Sequence, residues 1–283
     1  MPAPTRSILI TGCSSGIGLA CALGLAERGW RVIASARKPS DVQRLVEQGL
    51  STVLLDLDDS SSIAEGLTQA LALTGGRLDA LFNNGAYGQP GAVEDLTRAV
   101  LRAQFETNLF GWHDLTRRVI PIMREQGHGR IVQNSSVLGL VAMPFRGAYV
   151  ASKFALEGLT DTLRQELAGS GIQVSLIEPG PILSRFRDNA FVAYQQGIDA
   201  DASVFKDTYR LMEERLTKEG PAQPFTLPPR AVLKKVVHAL ENPRPRARYY
   251  VTFPTYLIGT LRRVLSTRAL DGFIRRVSRG GRG

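Results

Sequence analysis

Ser7-Ile8-Leu9-Ile10-Thr11-Gly12-Cys13-Ser14-Ser15-Gly16-Ile17-Gly18 decides the fold of this 283-residue chain. Its first five residues are an apolar run suited to a buried strand, its centre is a glycine turn, and Leu19 to Arg28 continues with helical patterning. Glycines let the backbone approach a bound group closely, and the helix N-terminus behind them offers free N–H groups and the positive end of its dipole. The loop is built to cradle phosphate. Its spacing, Thr-Gly-x-x-x-Gly-x-Gly, differs from the Gly-x-Gly-x-x-Gly of longer dinucleotide-binding chains. A glycine turn alone can also serve only to close a tight corner, so the rest of the chain must decide.

Further strand-like runs at Arg31–Ser35, Thr52–Asp56, Asp79–Asn83, Arg130–Asn134, Gln173–Glu178 and Tyr249–Thr252 alternate with helical stretches. The alternation predicts βαβ units, an α/β fold and a parallel sheet of seven strands covered on both faces. At 43% hydrophobic residues the chain can bury a large core in one domain. No signal peptide precedes the first strand, no run is long enough to span a bilayer, and the two cysteines make a disulfide framework improbable. A cytoplasmic protein is expected. His113, His128 and His238 lack metal-ligand spacing, so no metal site is expected.

The chemistry is concentrated in Ala148-Tyr149-Val150-Ala151-Ser152-Lys153, preceded by Ser135 and Ser136. Tyr149 and Lys153 are four apart, one turn on the same helical face. A free tyrosine titrates near pH 10 and shuttles protons poorly at neutrality, but an adjacent ammonium favours the phenolate. Phenol, ammonium and hydroxyl together suit the reduction of a carbonyl.

Glycine loop and Tyr/Lys pair, about 140 residues apart, together resemble the short-chain dehydrogenase/reductase family from Ser7 to roughly Ser184. The resemblance implies a single Rossmann-type doubly wound domain and a catalytic set of Asn108, Ser136, Tyr149 and Lys153. Ser136 stands 13 positions before Tyr149, the family spacing, which leaves Ser135 as a strand-end residue. Asn108 lies in the helical run Ala99 to Met123. Asn83-Asn84-Gly85-Ala86 stands where Asn-Asn-Ala-Gly is usual, with the two small residues exchanged. Pro179-Gly180-Pro181-Ile182-Leu183-Ser184 matches the turn beside the nicotinamide, with Ser184 in place of the usual threonine. The implied cofactor contacts are Gly12, Ser14, Ser15, Gly16, Ile17, Gly18, Arg37, Lys38, Asp56, Leu57, Asn83, Asn84, Gly85, Ala86, Tyr149, Lys153, Pro179, Gly180, Ile182 and Ser184. Asp56 could equally cap the helix that follows.

Charge argues for the cofactor. An NAD site places an acidic residue after the second strand to bind the ribose hydroxyls, whereas this chain has Ser35-Ala36-Arg37-Lys38. A guanidinium meets a 2′-phosphate with paired donors, so NADP(H) is expected. Residues 185–227 leave the αβ rhythm and carry Phe186, Phe191, Val192, Tyr194, Phe205, Tyr209, Leu211, Met212 and Phe225. With Tyr87, Met143, Pro144 and Phe145 they read as an apolar lid and pocket, or as ordinary core under a loop. Ser135 to Glu157 resembles the branch holding retinol, 17β-hydroxysteroid and bacterial NADP-dependent aldehyde reductases, which implies a lipophilic aldehyde or ketone. A homodimer is usual for the family. A protein that binds NADPH as a sensor or scaffold is the alternative, against which the intact catalytic set argues.

The domain so read spans residues 1–252, and 253–283 form a basic extension. From Pro243 onward ten arginines face one acid, Asp271, so this segment carries the whole net charge of +9. Leu257, Ile258, Leu261, Val264 and Leu265, then Leu270, Phe273, Ile274 and Val277 after an interruption at Asp271-Gly272, predict two amphipathic helices. Arg262, Arg263, Arg268, Arg275, Arg276 and Arg279 supply the basic face. The apolar face either packs on the domain or meets anionic lipid. No nucleic-acid reader motif accompanies the arginines.

Overall fold

The computed structural model describes residues 6–218, 220 and 224–280. The ends of the expected domain and tail, positions 219 and 221–223 of the expected lid, and the Arg279 side chain lie outside this description. Strands β1 (Ser7–Ile10), β2 (Arg31–Ala36), β3 (Ser51–Leu54) and β4 (Ala80–Asn83) form the first half of the sheet. The second half is β5 (Gly129–Asn134), β6 (Ile172–Glu178) and β7 (Arg248–Tyr250). All seven are parallel in the order β3-β2-β1-β4-β5-β6-β7.

Helices α1 (Gly16–Ala26), α2 (Pro39–Glu47) and α3 (Ser60–Thr74) connect the first strands. Next come α4 (Arg98–Phe105), a π-turn at Glu106–Phe110, α5 (Gly111–Gln126) and α6 (Gly147–Glu166). The chain continues through α7 (Phe186–Gly197), α8 (Lys206–Thr217), α9 (Arg230–Glu241), α10 (Phe253–Val264) and α11 (Thr267–Gly280). Period-two side-chain alternation splits the core in two. Ile8 and Ile10 pack with Ala22 and Leu25 of α1, Leu45 of α2 and Val232 and Val236 of α9. Leu9 packs on the other face with Leu67 of α3, Trp112 and Leu115 of α5 and Leu156 of α6. Because the chain moves outward from β1 to β3 and returns at β4, a crevice opens between the C-terminal ends of β1 and β4, where ligands bind in such sheets.

Several expected boundaries move. Strand β3 ends at Leu54, so Asp56 lies beyond it in the turn, where its Oδ1 accepts from Asp58 N at 3.1 Å. The cap of α3 is Asp59, which accepts from Ser61 N at 2.8 Å. Strand β7 begins earlier than expected and ends at Tyr250. The single helix expected over Ala99–Met123 is interrupted by the π-turn. In the tail the break falls at Leu265-Ser266, and Asp271-Gly272 lies inside α11. Leu270, Phe273 and Ile274, straddling that pair, pack with Leu138, Val141 and Val150, and this contact outweighs the poor helix propensity of glycine. Packing on the domain is thus the arrangement adopted by the apolar face of α11.

The lid aromatics divide. Tyr194, Tyr209 and Met212 form a small core of their own with Ala92 and Ile198, as the reading of an ordinary core required. Val192, Leu211 and Phe225 are exposed.

Candidate active site

Gly12 and Gly16 both adopt left-handed backbone, with φ of +69° and +58°. A side chain at Gly12 would collide with Gly85, since its Cβ would stand 2.5 Å from the Gly85 Cα. The loop after β4 is clamped to this cradle. Thr11 Oγ1 accepts from Asn84 N at 2.8 Å and from Gly85 N at 2.9 Å, while Asn84 Nδ2 donates to the carbonyls of Thr11 and Gly12 at 3.0 and 3.2 Å. Asn134 Nδ2 donates to Asn84 Oδ1 at 2.9 Å, which joins the end of β5 to the same network. Asn83 turns elsewhere: it is buried, and its Nδ2 donates to Thr116 Oγ1 of α5 at 2.8 Å. Trp112 Nε1 donates to Gly85 O at 2.7 Å and closes the floor.

Ser14, Ser15 and Ile17 are half-buried along the cradle, and Gly18 is buried beneath it. Cys13, at its heart, is fully buried; its Sγ donates to Ile10 O at 3.2 Å, and burial pushes its thiol up to about 12. Arg37 and Lys38 follow β2 in the open. Arg37 has no acidic partner within 4 Å among the described residues, although its charge reaches Asp58 and Tyr87 across the mouth of the crevice. Half-buried Asp56 and buried Leu57 lie on the turn after β3.

The Pro179-Gly180 turn after β6 is held from behind, because Thr252 Oγ1 lies 2.1 Å from where a Gly180 Cβ would be. In front, Pro179 O accepts from Val137 N at 2.8 Å, tying the turn to the Ser136 loop. Ser184 comes round to the cradle, its Cβ 2.9 Å from a Cβ built on Gly16. Ile182 pairs with Leu227 in an isolated parallel bridge.

Tyr149 and Lys153 lie on one face of α6. Lys153 is 1% exposed, donates from Nζ to Asn134 O at 2.9 Å, and sits 4.3 Å from the Trp112 ring centroid and 5.6 Å from that of Tyr149. Burial lowers its pKa to about 7, with Glu157 one turn on acting against the shift. Burial pushes the Tyr149 phenol up to about 12, while a hydrogen bond with the Ser136 side chain acts downward. Ser136 caps the short 3-10 turn Val137–Gly139, accepting from Leu138 N at 3.1 Å. Asn108 sits in the π-turn, a distortion often found at functional positions. It is fully buried, accepts from Tyr87 N at 3.2 Å and donates to Tyr87 O at 2.8 Å and Ser152 Oγ at 3.5 Å.

Behind Lys153 lies an acidic cluster, buried at Glu157 and Glu178 and partly exposed at Asp161. Glu157, Asp161 and Glu178 converge on Arg248, whose guanidinium bonds Glu157, reaches Glu178 at 2.6 Å and Asp161 at 2.5 Å. Burial pushes Glu178 up to about 8 and raises Glu157 as well.

Side chains far apart in sequence wall the space before Tyr149. The Phe186 ring stands edge-on to Tyr149 at 5.4 Å and fills the place a Gly88 side chain would need. Leu270, Phe273 and Ile274 of α11 join Tyr149, Met143 and Leu138 in one apolar cluster. Phe145 has a left-handed φ of 59°, rare for an aromatic residue, and packs at 5.3 Å on Phe205 and 6.0 Å on Tyr209. Thr11, Trp112 and Asn134 were not singled out as site residues from sequence; Phe186 was expected in the lid and Phe273 on the apolar face of the tail, but neither was placed against Tyr149. Asn134, two residues before Ser136 at a strand end, carried the one available signal.

A sequence profile of the short chain dehydrogenase family matches residues 6–194. The chain belongs to this family. It is a short-chain dehydrogenase/reductase oxidoreductase, with the Rossmann-type fold of that group. It is 44% identical over 266 residues to the oxidoreductase YbbO of Escherichia coli K12, covering 94% of this chain and 93% of the relative. It is 33% identical to human retinol dehydrogenase 8, covering 95% and 89%. A Burkholderia phymatum short-chain dehydrogenase/reductase solved with NAD superposes with a TM-score of 0.78 at 25% identity, over 93% of this chain and 94% of that one.

Proposed function

We propose that this chain is an NADP(H)-dependent reductase of apolar aldehydes and ketones, reversible in principle. The observation that carries the reading is the meeting of Tyr149, Lys153 and Ser136 at the strand ends beside the glycine cradle. The residues fit a dinucleotide: Gly12 and Gly16 leave backbone space that a Cβ would fill, and Arg37 and Lys38 stand free where a 2′-phosphate would need cations. Bound NADPH supplies a hydride to the carbonyl carbon.

Each protein group then serves the negative charge that develops on oxygen. The Ser136 hydroxyl donates to the carbonyl oxygen and polarises it. Tyr149 transfers its phenolic proton to that oxygen. Lys153, as the ammonium, stabilises the phenolate left behind and lowers the phenol's pKa. Asn108 spends its amide hydrogens on Tyr87 O and Ser152 Oγ and one Oδ1 lone pair on Tyr87 N; the remaining Oδ1 lone pair orders a water that returns protons to Lys153. Phe186, Met143 and Phe273 give the carbonyl's substituents an apolar seat. The chain acts in the cytoplasm as a homodimer, with exposed Leu101, Phe110 and Leu159 along α4 to α6 offering an apolar surface to a second copy, and it touches anionic membrane peripherally.

NADPH oxidation measured against long-chain aldehydes, retinal and a steroid ketone tests the activity. Tyr149→Phe is expected to bind NADPH as before and to lose roughly 10²–10⁴-fold in turnover. Arg37→Asp is expected to weaken NADPH by roughly 10- to 100-fold and NADH far less. Full turnover in Tyr149→Phe would sink the mechanism, and equal cofactor losses would remove Arg37 from the phosphate site. Silence of the wild type toward every carbonyl would return the chain to cofactor binding without catalysis.

A further inference from the structure

Along the free edge of β7 runs a groove that the chemistry above does not use. One cavity of about 550 Å³ is lined by Arg230, Lys234, Lys235 and Arg246. A second, of about 210 Å³, shares Lys235 and Arg246 and adds Arg263. No aspartate or glutamate lines either. Arg230 and Lys234 stand one turn apart on one face of α9 and Lys235 lies at the flank of that face, in the lining of both cavities; Arg246 arrives from the turn before β7, and Arg263 comes from α10. Among the described residues none of these five has an acidic partner within 4 Å, whereas Arg248 next to them has three. Five like charges left to repel one another call for an anionic partner.

The surroundings identify its class. The floor of the larger cavity is apolar, with Leu227, Ala231 and Val251. Two residues along the chain from Leu227 and from Val251 stand Phe225 and Phe253, paired at 5.1 Å and still 59% and 58% exposed. Tyr256, Leu257 and Val264 of α10 are exposed as well. A small soluble anion is held by donors that converge on one enclosed point. Here the cations are strung along an open groove beside exposed aromatic and aliphatic side chains, the distribution that meets phosphates and the acyl boundary of a bilayer together. We propose that the groove between α9, β7 and α10 is a docking surface for anionic phospholipid headgroups, and that it brings the chain to a membrane in place of the packed apolar face of α11. This rests on the reading of peripheral membrane contact and supplies its site; an apolar carbonyl would then be met where it dissolves.

Flotation of the full chain with vesicles of phosphatidylglycerol and phosphatidylcholine, and with phosphatidylcholine alone, tests the groove. Capture is expected on the anionic vesicles only and should weaken as salt rises. Each cation near an anionic surface contributes about fivefold to partitioning, so Lys234→Gln/Lys235→Gln/Arg246→Gln should lose roughly 100-fold. Arg275→Gln/Arg276→Gln, in the basic stretch of α11, should stay within about twofold of wild type. If the triple variant melts early, Lys234→Gln and Arg246→Gln alone, each expected to lose about fivefold, decide the matter. Inorganic phosphate should release the chain no better than chloride of equal ionic strength. Selective release by phosphate would mark a free-anion site and overturn the proposal. So would equal capture on neutral vesicles, no capture at all, or groove variants that float like wild type. Neither cofactor nor carbonyl enters the assay, so a chain without reductase activity can still float and an active one can fail to.

Discussion

Burial brings Lys153 and Tyr149 together and, in the cofactor-free protein, holds each away from its working state. The lysine is lowered to about 7 from 10.5, and the phenol is pushed up to about 12. Above about pH 7 the free protein therefore carries Lys153 largely neutral. An anionic dinucleotide beside it favours the ammonium, so cofactor binding takes up a proton there, and affinity falls as pH rises from about 7 toward the ordinary lysine range. Calorimetric titration in two buffers of different ionisation enthalpy should detect that proton in the wild type, and Lys153→Met should abolish it. Unchanged proton uptake in the variant would assign the coupling elsewhere. Gly12, Tyr149 and Lys153 could be singled out because short spacings carry their geometry, and Ser136 because the family resemblance supplies its 13-residue distance from Tyr149. Phe186 was expected in the lid and Phe273 on the tail's apolar face, but their place beside Tyr149 was not legible, because it is set by where two distant helices land, which no local pattern encodes.

Among elements, β7 is a strand of three residues at the sheet edge, and Arg248 anchors it to β6 and α6 through Glu178, Glu157 and Asp161. Removing the cation leaves the cluster's carboxylates uncompensated once they ionise, and Arg248→Met should cost about 3–5 kcal/mol at about pH 8 and above, where Glu178 ionises. The sign of its pH dependence follows from Glu178 and Glu157, both raised above the usual carboxylate range by burial. Groups that bind protons more tightly when folded add stability below their unfolded pKa of about 4.5 and lose it as pH rises through the folded value, about 8 for Glu178. The variant's deficit should therefore shrink at about pH 5, as urea unfolding at the two pH values would reveal. Equal deficits would mean that the cluster is solvated. The alternation of strands and helices gave the sheet's class directly, since periodicities of two and 3.6 are local. The π-turn was invisible because its extra residue leaves the apolar spacing from Ala99 to Met123 looking continuous.

For the whole molecule, the basic tail left two readings open because an apolar stripe has the same spacing whether it meets protein or lipid. The structure seats Ile274, 4% exposed, on the cluster that contains Tyr149. Truncation after Thr252 should accordingly uncover Leu138, Val141 and Val150 and lower both melting temperature and turnover. As a milder probe, Ile274→Ala should cost about 2 kcal/mol and raise KM for a long-chain aldehyde more than for a short one. An unchanged melting temperature would mean that α11 does not hold that position in solution.

Cys13 gives the phosphate loop a chemical immunity. Aldehydes are electrophiles, and unsaturated ones alkylate thiolates, so if the chain reduces aldehydes as proposed, a reactive cysteine beside the cofactor would invite the substrate to poison the catalyst. A thiol raised to about 12 is almost wholly un-ionised at neutral pH, and the thiolate is the species that reacts. Prolonged exposure to iodoacetamide or acrolein should leave NADPH binding intact in the folded protein and modify Cys13 only after denaturation, as peptide mass analysis would record. Rapid labelling of the native loop would show that the wall around Cys13 opens.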